Sequence, residues 1–184
     1  MLILLIININ WVLSNMKEVR YFSATNFKKF MKGLGFPTHS YNNVLAKDFI
    51  ETFNFAIISI GNVESEKVGD NDVDLWLNGP DNHWIPSCSN VLNINFNDIT
   101  NDKDGAITSS QAKEIVDFFL RNEDKRVFYI HCGAGISRSG AVASFIYDYF
   151  RNRDVSIKIE PKYPEMLNYF VKKKINDYLN VSVG

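Results

Sequence analysis

Apolar residues fall along this chain in short blocks whose spacing alternates between strand-like and helix-like periods. Phe55 to Ile60 (Phe-Ala-Ile-Ile-Ser-Ile) is a β-branched run closed by Gly61 and Asn62, which predicts a buried strand. Val91 to Phe96 alternates apolar residues with Asn, as a strand with one covered face does. Ala112, Ile115, Val116 and Phe119 form a helical stripe, and Thr108 and Gln111 stand at the T-x-x-Q spacing of a capping box at its start. Beyond the charged turn Arg121 to Arg126, the run Val127 to Ile130 predicts another buried strand. A helix is expected from Gly140 to about Phe150, with Val142, Phe145, Ile146 and Tyr149 inward. A last helix is expected to begin near Pro164 and to carry Leu167, Val171, Ile175 and Tyr178, with Lys172, Lys173 and Lys174 on its solvated face. Strands alternating with helices give an α/β fold: a single compact domain with a central mixed or mostly parallel sheet flanked by helices.

The ends and linkers change this picture little. Residues Met1 to Leu13 are mostly Leu and Ile, but no Lys or Arg precedes them and Asn8 and Asn10 interrupt them. The run is also short of the roughly 20 residues a bilayer span requires, so residues 1–15 are expected to be an apolar extension outside the core. Residues 16–184 then carry the domain, with Met16 as a candidate start. Glu64 to Asn82 is polar, holds Asp70, Asp72 and Asp74, and ends at Gly79-Pro80, which predicts a loop region.

Composition narrows the function classes. With 46% hydrophobic and 22% charged residues the chain is ordinary globular protein, and its length allows about 70% of the unfolded surface to be buried without staples. Twenty basic side chains against 21 acidic ones leave a net charge of -1. Nucleic acid or an anionic membrane would want a basic field, so neither is expected as the main partner. Two cysteines, Cys88 and Cys132, suit a reducing, cytoplasmic setting, and His39, His83 and His131 make no zinc-type cluster. No metal and no cofactor are expected.

Chemistry concentrates between Tyr129 and Gly140, where the predicted strand runs through a tight loop into a helix start. That arrangement suits an anion, because successive N–H groups and the positive end of the helix dipole face it. Gly133, Gly135 and Gly140 fit a backbone that turns sharply and approaches its ligand closely. The N–H dipoles, the helix dipole and the Arg138 guanidinium each favour a thiolate at Cys132 over a thiol. Arg138 has the planar fork that grips two phosphate oxygens, a geometry lysine lacks. Cys88, in Pro86-Ser87-Cys88-Ser89, has no Arg at the required spacing and reads as a structural or surface thiol. His83 and Trp84 read as core or surface packing, with a place on the pocket rim as the other reading.

His131 to Ser139 match H-C-x-x-G-x-x-R-S at all five fixed positions. The segment resembles the signature of the cysteine-dependent protein tyrosine phosphatases, and is most similar to the dual-specificity branch. The resemblance extends less strictly from about Phe55 to Phe150. It implies Cys132 as nucleophile, Arg138 as phosphate clamp, His131 as buried hydrogen-bonding support, and Ser139 as the hydroxyl that helps the phosphocysteine break down. It also implies a phosphate cradle of the amides of Gly133, Ala134, Gly135, Ile136, Ser137 and Arg138. Read alone, Ser139 also fits a helix N-cap, the lesser of its two readings.

Ester cleavage by a thiolate also needs a proton donor for the leaving oxygen, and then a base for the attacking water. In the resembling family this is an Asp on a loop after a strand, upstream of the cysteine. Asp98 lies 34 positions before Cys132, directly after the predicted strand 91–96, and is the expected acid. Asp102 is next in line, and Asp104 lies deeper in the same polar stretch. The substrate implied is a phosphorylated protein or peptide, since Gly133, Ala134, Ile136 and Ser137 bring no loop charge for a polyanionic lipid head group. The alternatives are an RNA 5′-triphosphatase with the same loop, and a phosphate-binding module that does not hydrolyse its ligand.

Overall fold

Five strands that all run the same way form the centre of the molecule in a computed structural model, which describes residues 16–35, 50–63 and 87–183. The expectations for residues 1–15, for the loop 64–82, and for His39, His83 and Trp84 lie outside the described residues. In chain order the elements are β1 (Lys17–Ser23), α1 (Ala24–Gly33), β2 (Phe55–Gly61), β3 (Val91–Asn95), α2 (Ser109–Arg121), β4 (Val127–Cys132), α3 (Arg138–Arg151), β5 (Ile157–Glu160) and α4 (Tyr169–Val183). The strand order is β3-β2-β4-β1-β5, and every strand pairing is parallel rather than mixed.

Strand alternation divides the core into two layers. On one face Ala56, Ile58, Ile60, Phe128 and Ile130 pack with Ala112, Ile115, Phe119, Val142, Phe145, Val171 and Ile175 from α2, α3 and α4. On the other face Phe55, Ile57, Val91 and Tyr129 pack with Phe27 and Met31 of α1. Helix α3 follows β4 and α1 follows β1, and these neighbouring strands send their helices to opposite faces. Such a switch opens a crevice at the carboxyl ends of the strands, where open α/β sheets bind ligands. The ends of β1, β2, β3 and β4 all lie on that edge.

The helix stripe at residues 112–119 is present as expected, with both arms of the Thr108–Gln111 capping box formed. Two helix starts differ from the sequence reading. Helix α3 begins at Arg138, not Gly140, because Gly140 serves packing within the first turn: a Cβ there would lie 3.0 Å from the Cβ of Pro164. Helix α4 begins at Tyr169 rather than near Pro164, because the buried Asn168 caps it by accepting the Val171 N–H at 3.1 Å. Strand β1, helix α1 and strand β5 carried no sequence prediction. Among the described residues no helix is long and apolar enough to cross a membrane.

Candidate active site

Cys132 is the last residue of β4 and is 2% exposed, its side chain on the α3 face of the sheet. Its Sγ lies 3.2 Å from Ser139 Oγ and accepts the Gly135 N–H at 3.3 Å. The loop between curls because Gly135 takes a φ of +72°, a left-handed conformation that side chains resist. It also lies against β1, where a Cβ would stand only 2.0 Å from the Ser23 nitrogen. The Gly133 carbonyl accepts Ala24 N–H at 3.2 Å, and the Ser137 carbonyl accepts Ala141 N–H at 2.9 Å and Asn168 N–H at 3.1 Å. In a trans peptide the following N–H points opposite to the carbonyl, so the Ala134 and Arg138 amides are turned away from those partners. Ala134 and Ile136 are exposed on the loop, while Ser137 is half-buried.

Ser139 is not the helix cap. That position belongs to Ser137, whose side chain makes no capping bond, and Ser139 is fully buried against the sulfur. His131, one residue before Cys132, points to the opposite face by strand alternation. It is 1% exposed there and its ring stacks on Phe27 with centroids 4.5 Å apart, so it packs the loop's base from the α1 side.

Arg138 opens α3 yet is only 6% exposed. Its Nη1 donates to the carbonyls of Gly61 (2.9 Å) and Phe96 (2.7 Å) and to Asn62 Oδ1 (2.8 Å). The guanidinium is thus pinned across the ends of β2 and β3 by one nitrogen. Its Nε is buried and has no hydrogen-bond partner among the described residues. Asn62 and the Gly61 and Phe96 carbonyls are site groups the sequence reading missed. The Gly61-Asn62 pair reads there only as a strand stop.

Asp98 follows β3 on an exposed turn held by Asn97, whose N–H donates to the Gly105 carbonyl at 2.7 Å and whose Oδ1 accepts Val63 N–H at 3.1 Å. The Asp98 Oδ1 accepts Ser137 Oγ at 2.8 Å and Asn168 Nδ2 at 2.7 Å, which sets the carboxylate at the loop's edge. Asp102 instead lies 3.4 Å from Lys174 on α4, and Asp104 is exposed. Of the three acids, only Asp98 is hydrogen-bonded to the loop. Asn168 is a second residue missed at the sequence level, although Asn ahead of an apolar-periodic segment is a helix-start signal. Cys88 is half-buried just before β3, at the opposite edge of the sheet from Cys132, and bonds Asn90 Oδ1 at 3.2 Å. Among the described residues, no group of three or more His, Cys, Asp or Glu could hold a metal ion.

Comparison with known proteins gives distant structural likeness. The chain is similar to a crystal structure of PTPMT1 in complex with PI(5)P, with 17% identity and a TM-score of 0.37, covering 70% of this chain and 81% of that one. A second crystal structure of PTPMT1 matches at 19% identity and a TM-score of 0.33, covering 71% and 83% respectively. No family model matches the chain, and no curated protein does. The resemblance to the cysteine-dependent tyrosine phosphatases therefore rests on this chain's own residues, with all five signature positions set on a strand, a tight loop and a helix start.

Proposed function

We infer that residues 16–184 form a metal-independent phosphoprotein phosphatase, acting on phosphotyrosine or with dual specificity through a phosphocysteine intermediate. One observation carries this reading: a buried sulfur that accepts a loop N–H shares that loop with a buried guanidinium whose Nε has no partner among the described residues. An unmatched buried donor is costly, and a phosphate oxygen satisfies it.

The chemistry follows from the named groups. The Cys132 thiolate attacks phosphorus, forming the S–P bond as the ester P–O bond breaks. Asp98 gives its proton to the leaving oxygen, so the alcohol departs neutral. Arg138, pinned through Nη1, offers its Nε edge to two non-bridging oxygens whose charge rearranges in the transition state. Water then attacks the phosphocysteine while the Asp98 carboxylate takes its proton. The S–P bond breaks, Ser139 Oγ–H stabilises the departing sulfur anion, and inorganic phosphate leaves. A thiolate nucleophile belongs in a reducing compartment, which supports a cytoplasmic location. The uncharged, partly exposed loop residues Ala134 and Ile136 favour a peptide surface over a polyanionic head group.

The test is turnover of an aryl phosphate in reducing buffer with excess chelator, comparing the natural protein with Cys132→Ser. Metal-free hydrolysis that falls by about 10⁴-fold or more in the variant is expected. Equal rates in the two proteins, or hydrolysis that stops with chelator, would overturn the reading. The Asp98→Ala protein, used to capture peptides from a phosphotyrosine and phosphoserine/threonine panel, then reports the substrate class.

A further inference from the structure

We propose that Asn168 is the positioning residue for the Asp98 carboxyl, locking the acid to the phosphate loop so that its free oxygen carries the proton. This rests on the role proposed above for Asp98. Asn168 is 2% exposed, and every polar atom of its side chain is engaged. Its Oδ1 accepts Val171 N–H at 3.1 Å, and its Nδ2 donates to the Ile99 carbonyl at 3.1 Å and to Asp98 Oδ1 at 2.7 Å. The backbone fixes which end of the amide is which. Val171 N–H can only donate and the Ile99 carbonyl can only accept, so the end facing Asp98 is the NH₂. The Asn168 main-chain N–H also donates to the Ser137 carbonyl at 3.1 Å, while Ser137 Oγ donates to Asp98 Oδ1 at 2.8 Å. One buried residue thus joins the acid turn, the phosphate loop and the first turn of α4.

The arrangement is asymmetric in a useful way. Both donors bond the same carboxylate oxygen, Oδ1, and so occupy its lone pairs. A proton on this carboxyl therefore resides on Oδ2, the oxygen left to meet a leaving group. Both donors are neutral, so they aim the carboxyl without adding a cation beside it. Asp98 is otherwise an exposed side chain on a turn, where free rotation would dilute the productive orientation.

Asn168→Ser separates this role from the helix cap, since serine keeps a capping oxygen but loses the amide that reaches Asp98. Asn168→Thr also keeps a capping oxygen without the amide, and serves if the serine variant does not fold. The readout is leaving-group dependence of kcat/KM, which reports phosphocysteine formation and not the later attack of water: an alkyl-like phosphate with a poor leaving group is compared with an activated aryl phosphate. On that scale Asp98→Ala is expected to cost about 10²- to 10⁴-fold with the poor leaving group and Asn168→Ser about tenfold to 100-fold, and each to cost much less with the activated ester, whose oxygen departs without a proton. The double variant Asp98→Ala/Asn168→Ser should be no slower than Asp98→Ala alone, because the second residue acts only through the first. Equal losses on both esters, or losses that multiply in the double variant, overturn the positioning role while leaving Asp98 as the acid. If Asp98→Ala itself shows no leaving-group dependence, the underlying reading of Asp98 fails, and this proposal with it.

Discussion

Gly135 leaves the loop no alternative: its φ of +72° and the Ser23 nitrogen 2.0 Å from a would-be Cβ exclude any side chain. Gly135→Ala is expected to lose turnover and at least about 2 kcal/mol of stability, read by thermal melting beside the aryl-phosphate assay. Arg138→Lys should fold but lose about 10²- to 10³-fold in kcat, because an ammonium cannot both hold the Gly61, Phe96 and Asn62 oxygens and present a second N–H edge. Ser139→Ala removes the hydroxyl 3.2 Å from the sulfur. A stopped-flow trace of that variant should keep its initial burst of released alcohol while the steady rate drops. Much of this was legible in the sequence because Cys132, Gly135, Arg138 and Ser139 lie within one short segment, where residues carry their geometry in their spacing. Asp98 needed the strand before it as a guide. Asn168 and Asn62 were not legible, since the sheet and the packing of α4, not the chain, bring them to the loop.

Among the elements, α2 was readable and β1 was not, for opposite reasons. Helix α2 buries one clean stripe and carries its own start signal, the Thr108–Gln111 box. Gln111 Nε2 also donates to the Asn95 carbonyl at 2.6 Å, tying that first turn to the end of β3 just before Asp98. Thr108→Ala is therefore expected to lower stability by about 1 kcal/mol in a denaturant titration, with kcat nearly unchanged. Strand β1 is Lys-Glu-Val-Arg-Tyr-Phe-Ser, and only Val19 is fully covered. Its charges are absorbed locally: Arg20 pairs with Glu18 at 2.7 Å and Glu160 at 3.3 Å, and Lys17 Nζ donates to the carbonyls of Glu123 and Lys125. All of these partners but Glu18 are remote in sequence, which masks the strand period. The start of α4 was misplaced for a related reason, because the cap at Asn168 outweighs the N-terminal signal of Pro164.

On the scale of the whole molecule, a parallel sheet sends the ends of four strands to one edge, and α3 and α4 clasp the loop there. That clasp is partly ionic. Lys172 on α4 lies 2.6 Å from Asp148 on α3 and donates to Tyr163 Oη at 2.8 Å, and Tyr163 in turn donates to Asp148 at 3.1 Å. Burial alone would lower the Lys172 pKa, but the hydrogen bonds with Asp148 and Tyr163 outweigh it and raise the value above 10.5. A raised lysine stabilises the fold fully below its ordinary value and loses that contribution as pH climbs through the folded-state value. Thermal melts of the natural protein and Lys172→Met should therefore differ by roughly 1 kcal/mol or less near neutrality and converge as pH rises beyond 10.5. A net charge of -1 supplies no long-range pull on an anion, so under the proposed function binding is local to the loop. The measurement that bears most directly on the central claim is mass spectrometry of the protein quenched in denaturant moments after mixing with an aryl phosphate. One phosphoryl group is expected on Cys132, more abundant in Ser139→Ala and absent from Cys132→Ser. Steady turnover with Cys132 unmodified, or a phosphoryl group on any other side chain, would contradict it.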